Sequence, residues 1–299
     1  YSRNKEKGQE FAQKYGNIHV ETDLEQLVQN ENLDVIYIAS PNSLHYEQAL
    51  LALRAKKHVM VEKPASTSVG QWEEMLKVAK ENDVFVLEAI RHLYIPNLKN
   101  IANEIEKLGG VQGATLPYVR YSSRYDNVLA GEEPNIFSLK FAGGALMDLG
   151  IYPIYTAVAL FGEPKEVIYY ARKIRTGVDG MGTVIFRYDA FDVTILVGKI
   201  VTSSYEAEIY GAQETLVIDH VSNLTKARLV DHKTLNEKEV SLEKQHENDM
   251  YYEADALATM IATKNDPLTL ERYEELSSLA KIVTGLLNKL LKDAGVHFE

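Results

Sequence analysis

This sequence predicts an α/β half followed by an α+β half: a Rossmann-like parallel sheet, then a large, mainly antiparallel open-faced sheet. Three observations carry that prediction. Apolar runs alternate with helical periods as far as Gly109-Gly110, the rhythm of a doubly wound parallel sheet. From Val111 onward strand patterns follow one another, and two helical patterns close the chain. Within the first half, Asp34 to Pro64 (DVIYIASPNSLHYEQALLALRAKKHVMVEKP) reads strand, turn, helix, strand, a βαβ unit whose two strands pair in parallel. Loops after the carboxyl ends of such strands are where open α/β sheets bind ligands.

Taken in order, Lys5 to Tyr15 forms an amphipathic helix with Phe11, Ala12 and Tyr15 apolar and Gly16 as its stop. Ile18 and Val20 mark a short strand, and Asp23 N-caps a helix through Gln29. Val35 to Ala39 is a buried apolar strand that breaks at Ser40-Pro41-Asn42, which is turn chemistry. Leu44, Ala49, Leu50 and Leu53 share one face of the next helix, and Val59-Met60-Val61 is the second strand. Ser68 caps a helix through Lys80, Val84 to Leu87 is another strand, and Pro96 opens a helix through Leu108. The change of rhythm at Gly109-Gly110 divides a first domain at 1–109 from a second at 110–299.

In the second half, Gln112 to Tyr121 reads as a strand and Pro134-Asn135 as a loop. Phe137 to Phe161 is largely helical and holds Gly143-Gly144. Seven strands follow: Glu166–Ile174, Gly182–Tyr188, Phe191–Val201, Glu206–Tyr210, Glu214–Asp219, Lys226–Val230 and Lys238–Leu242. Tyr188 to Phe191 and Gly211 supply hairpin turns. Helices over Asp249–Thr263 and Glu271–Ala294 complete the order.

The net charge of -11 comes from 32 basic and 43 acidic residues among 299. That balance, without a long basic run, argues against nucleic acid or an anionic membrane surface as the main partner. The absence of cysteine excludes disulfides and thiolate metal sites and is compatible with a reducing compartment. No apolar run is expected to reach the ~20 residues of a membrane span, and no signal peptide opens the chain; the expectation is a cytoplasmic protein. The histidines show no metal-ligand spacing such as H-E-x-x-H, so no metal is predicted. A dinucleotide-binding half should also contain G-x-G-x-x-G after its first strand. None occurs, while Tyr1-Ser2-Arg3 resembles the tail of a second strand. The expectation is that roughly thirty residues, one βαβ unit, are missing at the N-terminus.

Two motifs stand out: Pro41-Asn42-x-x-His45 running on through Lys56-Lys57-His58-Val59 to Glu62-Lys63-Pro64, and Gly143-Gly144-Ala145-Leu146-Met147-Asp148-Leu149-Gly150-Ile151-Tyr152. In order and separation they resemble the signatures of the Gfo/Idh/MocA family of nicotinamide-dependent oxidoreductases, and the domain plan is similar along the whole chain. Tyrosine in the last position resembles the glucose–fructose oxidoreductase and dimeric dihydrodiol dehydrogenase group.

Each residue has a bland reading beside the functional one. Lys63 precedes a proline and is held extended, so Pro64 fixes where its ammonium points. In a partly closed cleft its pKa can be lowered and it can hydrogen-bond a substrate oxygen; the bland reading is a surface lysine at a strand end. Asp148 and Tyr152, four apart, share a helix face, with Pro153 expected to kink the helix just after them; unaided, an ordinary hydrogen-bonded pair is the commoner reading. The resemblance implies that Lys63 and Tyr152 act on the substrate hydroxyl while Asp148 orients a sugar or diol. It also implies cofactor contacts from Ser40, Pro41, Asn42, His45, Glu62, Lys63 and Pro64, with Glu88 and Arg91 on the same rim. Arg91 stands where relatives carry an aromatic residue and Leu93 where they carry arginine, which leaves the substrate class open.

Ser2 and Arg3 suit a 2′-phosphate, favouring NADP over NAD. Tyr118, Arg120, Tyr121 and Arg124 alternate along one strand and beyond, equally suited to a polar pocket or an ordinary half-exposed strand. Apolar residues on the later strands (Val167, Tyr169, Ile185, Phe186, Val193, Ile195, Val197) are more than one hidden face needs, and the resemblance implies a homodimer or homotetramer through that sheet. The implied reaction moves a hydride between a nicotinamide and a carbinol or carbonyl carbon of a sugar, polyol or cyclic diol. The alternative is a non-catalytic ligand or dinucleotide sensor on the same fold, against which the retention of Lys63, Asp148 and Tyr152 together speaks.

Overall fold

Local capping starts the chain's first helices. Asn4 accepts the Lys7 N–H and opens α1 (Lys5–Lys14), and Asp23 accepts the Glu25 and Gln26 N–H groups at the start of α2 (Leu24–Gln29). The computed structural model describes residues 1–298. Ala12 of α1 is buried, whereas Phe11 and Tyr15 face solvent. The strand expected at Ile18 and Val20 does not form. The segment is extended, but a single bond from Ser2 N–H to the Glu21 carbonyl does not make a ladder.

The βαβ unit is as expected in its order. β1 (Val35–Ile38), α3 (His45–Arg54) and β2 (His58–Glu62) are followed by α4 (Val69–Glu81) and β3 (Val86–Ala89). The three strands form a parallel sheet in the order β1-β2-β3, with Tyr37 beside Met60 and Val59 beside Val86. The carboxyl ends of all three strands therefore lie on one edge, bringing Ser40, Lys63 and Arg91 to the same side of the sheet. The apolar run of β1 is only partly buried. As the outer strand it leaves Val35 and Tyr37 exposed, and the buried residues expected there reduce to Ile38.

α5 (Pro96–Glu106) places proline at its first turn, where the missing N–H costs nothing. After β4 (Gly113–Val119) and α6 (Tyr125–Leu129), the stretch expected to be one helix is broken. Two short 3-10 turns (Asn135–Phe137 and Leu139–Phe141) end at Ala142 in a left-handed conformation, and Gly144 has φ +126. A π-helical turn, Leu146–Gly150, then leads into α7 (Ile151–Phe161). Pro153 lies three residues beyond the π-helical turn, and α7 continues past it to Phe161. Leu139–Phe161 is also, by its 23 residues and mean hydropathy of 1.4, long and apolar enough to cross a membrane, which corrects the expectation that no such run exists. It is instead packed inside the molecule: Ile151 to Val158 are all buried, at the centre of the core.

The remaining strands are β5 (Glu166–Lys173), β6 (Asp179–Arg187), β7 (Asp192–Gly198), β8 (Ala207–Tyr210), β9 (Glu214–Ile218), β10 (Ala227–Asp231) and β11 (Glu237–Val240). With β4 they form a sheet ordered β11-β10-β9-β8-β4-β7-β6-β5, antiparallel except for the β4–β7 pair. Both hairpins form: Tyr188 N–H reaches the Phe191 carbonyl, and Gly211 N–H the Glu214 carbonyl.

Period-two alternation sorts the apolar residues onto two faces. Val167, Tyr169, Phe186, Val193, Ile195 and Val197 are buried on the inner face, so of the residues expected on an open face only Ile185 is there. The outer face carries Ile168 beside Ile185, and Tyr170 in line with Thr183 and Leu196. Helices α8 (Tyr251–Ala262) and α9 (Pro267–Asp293) close the chain. α9 packs against α4, α7 and β5, and the buried Trp72 indole donates to the Ser277 carbonyl at 3.0 Å, so one long helix braces both sheets.

Candidate active site

The loop after β2 is held by buried polar struts. The Lys63-Pro64 peptide is cis. The Pro64 carbonyl lies 2.8 Å from His45 Nδ1, and His45 Nε2 lies 2.7 Å from the Ser40 carbonyl. His45 is fully buried and ties the turn after β1 to the loop after β2. It therefore does not face the cleft as a ligand-contacting group. Glu88 is a second strut: it accepts the Ala65 N–H at 2.7 Å and the Tyr155 hydroxyl. Both of its oxygens point inward, which corrects its expected place on the rim. Burial pushes its carboxyl up to about 7, against the pull of those two donors.

Lys63 leaves this braced loop toward Asp148 on the π-helical turn. Its Nζ lies 2.8 Å from Asp148 Oδ1 and donates to the Asp148 carbonyl at 3.0 Å. The second carboxylate oxygen, Oδ2, lies 2.6 Å from Nζ of Lys199, which follows β7 and is only 1% exposed. Burial pulls the Lys63 ammonium's pKa down, but the Asp148 carboxylate outweighs it and the net shift is upward. The expected lowering therefore does not occur. Burial alone would raise Asp148; the charges of Lys63 and Lys199 reverse that and hold it well below the usual carboxylate range. With one lysine on each oxygen, Asp148 anchors Lys63.

Tyr152 opens α7 one turn beyond Asp148. Its ring centre is 5.3 Å from Lys63 Nζ and 6.0 Å from the Arg91 guanidinium. Burial raises the phenol's pKa, opposed by those two cations. Tyr118 and Arg91, both beside the Tyr152 ring, line a cavity of about 710 Å³ together with Arg120, His220, Asn223 and Asp249. The Tyr118 and Tyr152 ring centres are 5.5 Å apart. Arg91 is fixed by an ion pair with Asp249 and donates to Asn223 Oδ1 at 3.0 Å. Of the four alternating residues on and after β4, Tyr118 and Arg120 line this cavity and Tyr121 and Arg124 do not.

Ser40 Oγ is buried without a hydrogen-bond partner among the described residues. It sits in the turn at the carboxyl end of β1, where a ligand's polar group would satisfy it. Glu62 accepts the Tyr37 hydroxyl at 2.8 Å, and that hydroxyl also lies 3.2 Å from Glu253. Asn42 donates to the Ala142 carbonyl at 2.9 Å, joining this turn to the segment before the π-helical turn. Ser2 Oγ is spent on the Asn4 carbonyl, while Arg3 is exposed and makes no hydrogen bond or ion pair among the described residues. A dinucleotide thus finds an orphaned hydroxyl, a carboxylate and a buried ammonium along one strand-end edge, and these residues fit it. Lys199 was not anticipated from sequence; its one signal there is a charge ending the apolar run Val193 to Gly198.

Two family models match the chain: one described as an oxidoreductase family with an NAD-binding Rossmann fold over residues 1–89, the other as a GFO/IDH/MocA C-terminal domain over residues 110–217. The chain is 38% identical over 285 residues to the scyllo-inositol 2-dehydrogenase (NADP(+)) IolU of Bacillus subtilis, covering 95% of this chain and 86% of that one. It is 35% identical over 300 residues to the uncharacterized oxidoreductase YgjR of Escherichia coli, covering 100% and 88%. Among solved structures it is similar to KijD10, a 3-ketoreductase from Actinomadura kijaniata, in complex with NADP and TDP-benzene. That match has a TM-score of 0.81 at 20% identity and covers 98% of this chain and 87% of that one; at such identity it shows the fold.

Proposed function

The chain belongs to the Gfo/Idh/MocA family of nicotinamide-dependent oxidoreductases, and from that premise we propose a reaction for its cleft: interconversion of a CH–OH group and a carbonyl on a cyclic polyol, a sugar or a diol. The observation that carries the proposal is the Lys63 ammonium, fixed by Asp148 and 5.3 Å from the Tyr152 ring centre. A bound nicotinamide supplies or accepts the hydride. In the reducing direction Lys63 and Tyr152 supply the one proton that the carbonyl oxygen needs; in the oxidising direction they take the hydroxyl proton. Asp148 keeps the ammonium aimed, and the cavity beside Tyr152 receives the remainder of the substrate.

Ser40, Pro41, Asn42, Glu62, Lys63 and Pro64 form the cofactor edge in this reading. His45 and Glu88 hold it in shape, and Arg91 belongs to the substrate side. The exposed Arg3 suits a 2′-phosphate, and the similarity to an NADP-dependent inositol dehydrogenase supports the same choice, NADP over NAD. Residues 1–109 and 110–299 act as the cofactor and substrate domains, with the protein at work in the cytoplasm. The outer face of the large sheet, with Ile168 48% and Tyr170 68% exposed, pairs with a second copy. Sedimentation should give a mass above that of one chain, and Tyr170→Glu should return it to the monomer; a wild-type monomer at micromolar concentration would remove this part.

The reaction is tested by oxidation of NADPH and NADH with a panel of cyclic keto-polyols, keto-sugars and dihydrodiol-derived ketones. Saturable turnover with at least one cyclic keto-polyol, faster with NADPH, is expected. Tight cofactor binding with no turnover across the panel would favour the sensor reading instead.

A further inference from the structure

The two lysines on Asp148 do not have the balance of a structural ion pair. Lys63 and Lys199 take one carboxylate oxygen each, at 2.8 and 2.6 Å. Burying two ammonium groups against one carboxylate is costly unless the surplus charge is used. Asp179 on β6, the other acid whose charge acts on Lys199, makes no ion pair with it among the described residues: its Oδ2 accepts the Leu146 N–H at 2.7 Å and the Tyr169 hydroxyl at 2.6 Å. Lys199 is sealed from solvent and lies 4.7 Å from the centre of the Phe137 ring. It cannot reach a substrate except through Asp148. We propose that Lys199 is a positioning residue for the reaction: it locks the Asp148 carboxylate from behind and shares its charge, so that Lys63 is aimed at the substrate oxygen and releases its proton more readily than a lone Lys63–Asp148 pair would.

The physical basis is twofold. A carboxylate held through both oxygens from two different strand ends, β2 and β7, cannot swing away when the ligand enters. A second cation on the same carboxylate also opposes the proton on Lys63, whose other charged or titratable neighbours are Asp148, Glu62, Glu88 and the Tyr152 phenol, with Arg91 6.0 Å from the centre of that ring. Burial lowers Lys199 itself, opposed by Asp148, while the charge of Lys63 adds to the lowering, so the two lysines compete for one anion. The inference rests on the proposed role of Lys63.

The test is Lys199→Met, which keeps an unbranched apolar stem one atom shorter beside Phe137 but removes the charge. In the oxidising direction, the pH at which kcat/KM reaches half its plateau should rise by about one unit or more. kcat should fall about tenfold or more, with KM changed less than about threefold. In an Asp148→Asn background the same substitution should change kcat by less than about twofold, because its effect passes through that carboxylate. A pH profile that superimposes on the wild type, or losses that multiply in the double variant, would overturn the inference. If Lys199→Met does not fold, Lys199→Gln keeps a donor without the charge and should show the same upward shift; no shift there overturns it equally. Lys63→Ala run in parallel separates the two levels. A dead Lys63→Ala beside an unaltered Lys199→Met removes only Lys199, whereas an active Lys63→Ala removes the underlying reading.

Discussion

Lys63→Ala should lose turnover by about two to four orders of magnitude, the usual cost of removing a positioned proton donor, while binding the reduced dinucleotide within a few-fold of wild type. The loop does not depend on the lysine side chain for its shape. The Pro64 carbonyl still meets His45, and the Ala65 N–H still reaches Glu88. Asp148 keeps its second partner, Lys199. What disappears is the ammonium between Asp148 and the Tyr152 ring, and a group that acts on the reacting oxygen is lost from kcat rather than from cofactor affinity. Steady-state kinetics and a fluorescence titration of the cofactor on one preparation check both halves. Turnover within tenfold of wild type would sink the assignment.

Gly144→Ala should be the most damaging substitution remote from the reacting groups. At φ +126 this position favours glycine. A Cβ there would also strike the carboxylate of Asp179, the group that holds the Leu146 N–H at the head of the turn carrying Asp148. The substitution therefore forces a choice between a strained backbone and a displaced, buried carboxylate. A loss on the order of 2–4 kcal/mol in denaturant unfolding is expected, with a fall in kcat because the Leu146–Gly150 turn moves. Gly70→Ala is the comparison: an added Cβ at that position in the first turn of α4 meets nothing within 4 Å, so its stability should be unchanged or slightly improved. Equal stability of Gly144→Ala and wild type would contradict the packing described around Asp179.

Much of this arrangement was legible before the fold was known. Asp23 and Ser68 mark helix starts because their side chains satisfy free N–H groups, and both do so. The βαβ unit could be placed because its two apolar runs are separated by helical spacing. The two motifs could be paired through their resemblance to the family's signatures, and the structure brings Lys63, Asp148 and Tyr152 together.

Other features depend on tertiary context. Val35 and Tyr37 look buried in sequence, but they share one face of the outer strand β1 and are exposed there. Val167 to Tyr170 are apolar at every position, so no pattern says which alternate residues face the helices. His45 and Glu88 resemble cleft residues until their backbone partners are seen. Lys199 resembles a surface lysine at a strand end, and only the return of the chain over the π-helical turn makes it a partner of Asp148.

Chemical rescue of Lys63→Ala by small primary amines tests most directly whether the Lys63 ammonium moves the proton. NADPH-dependent carbonyl reduction should recover in proportion to added amine, with a rate that follows the amine's pKa and size. Turnover that stays at the variant's level at every amine concentration and pH, in protein that binds the cofactor as wild type does, would contradict it.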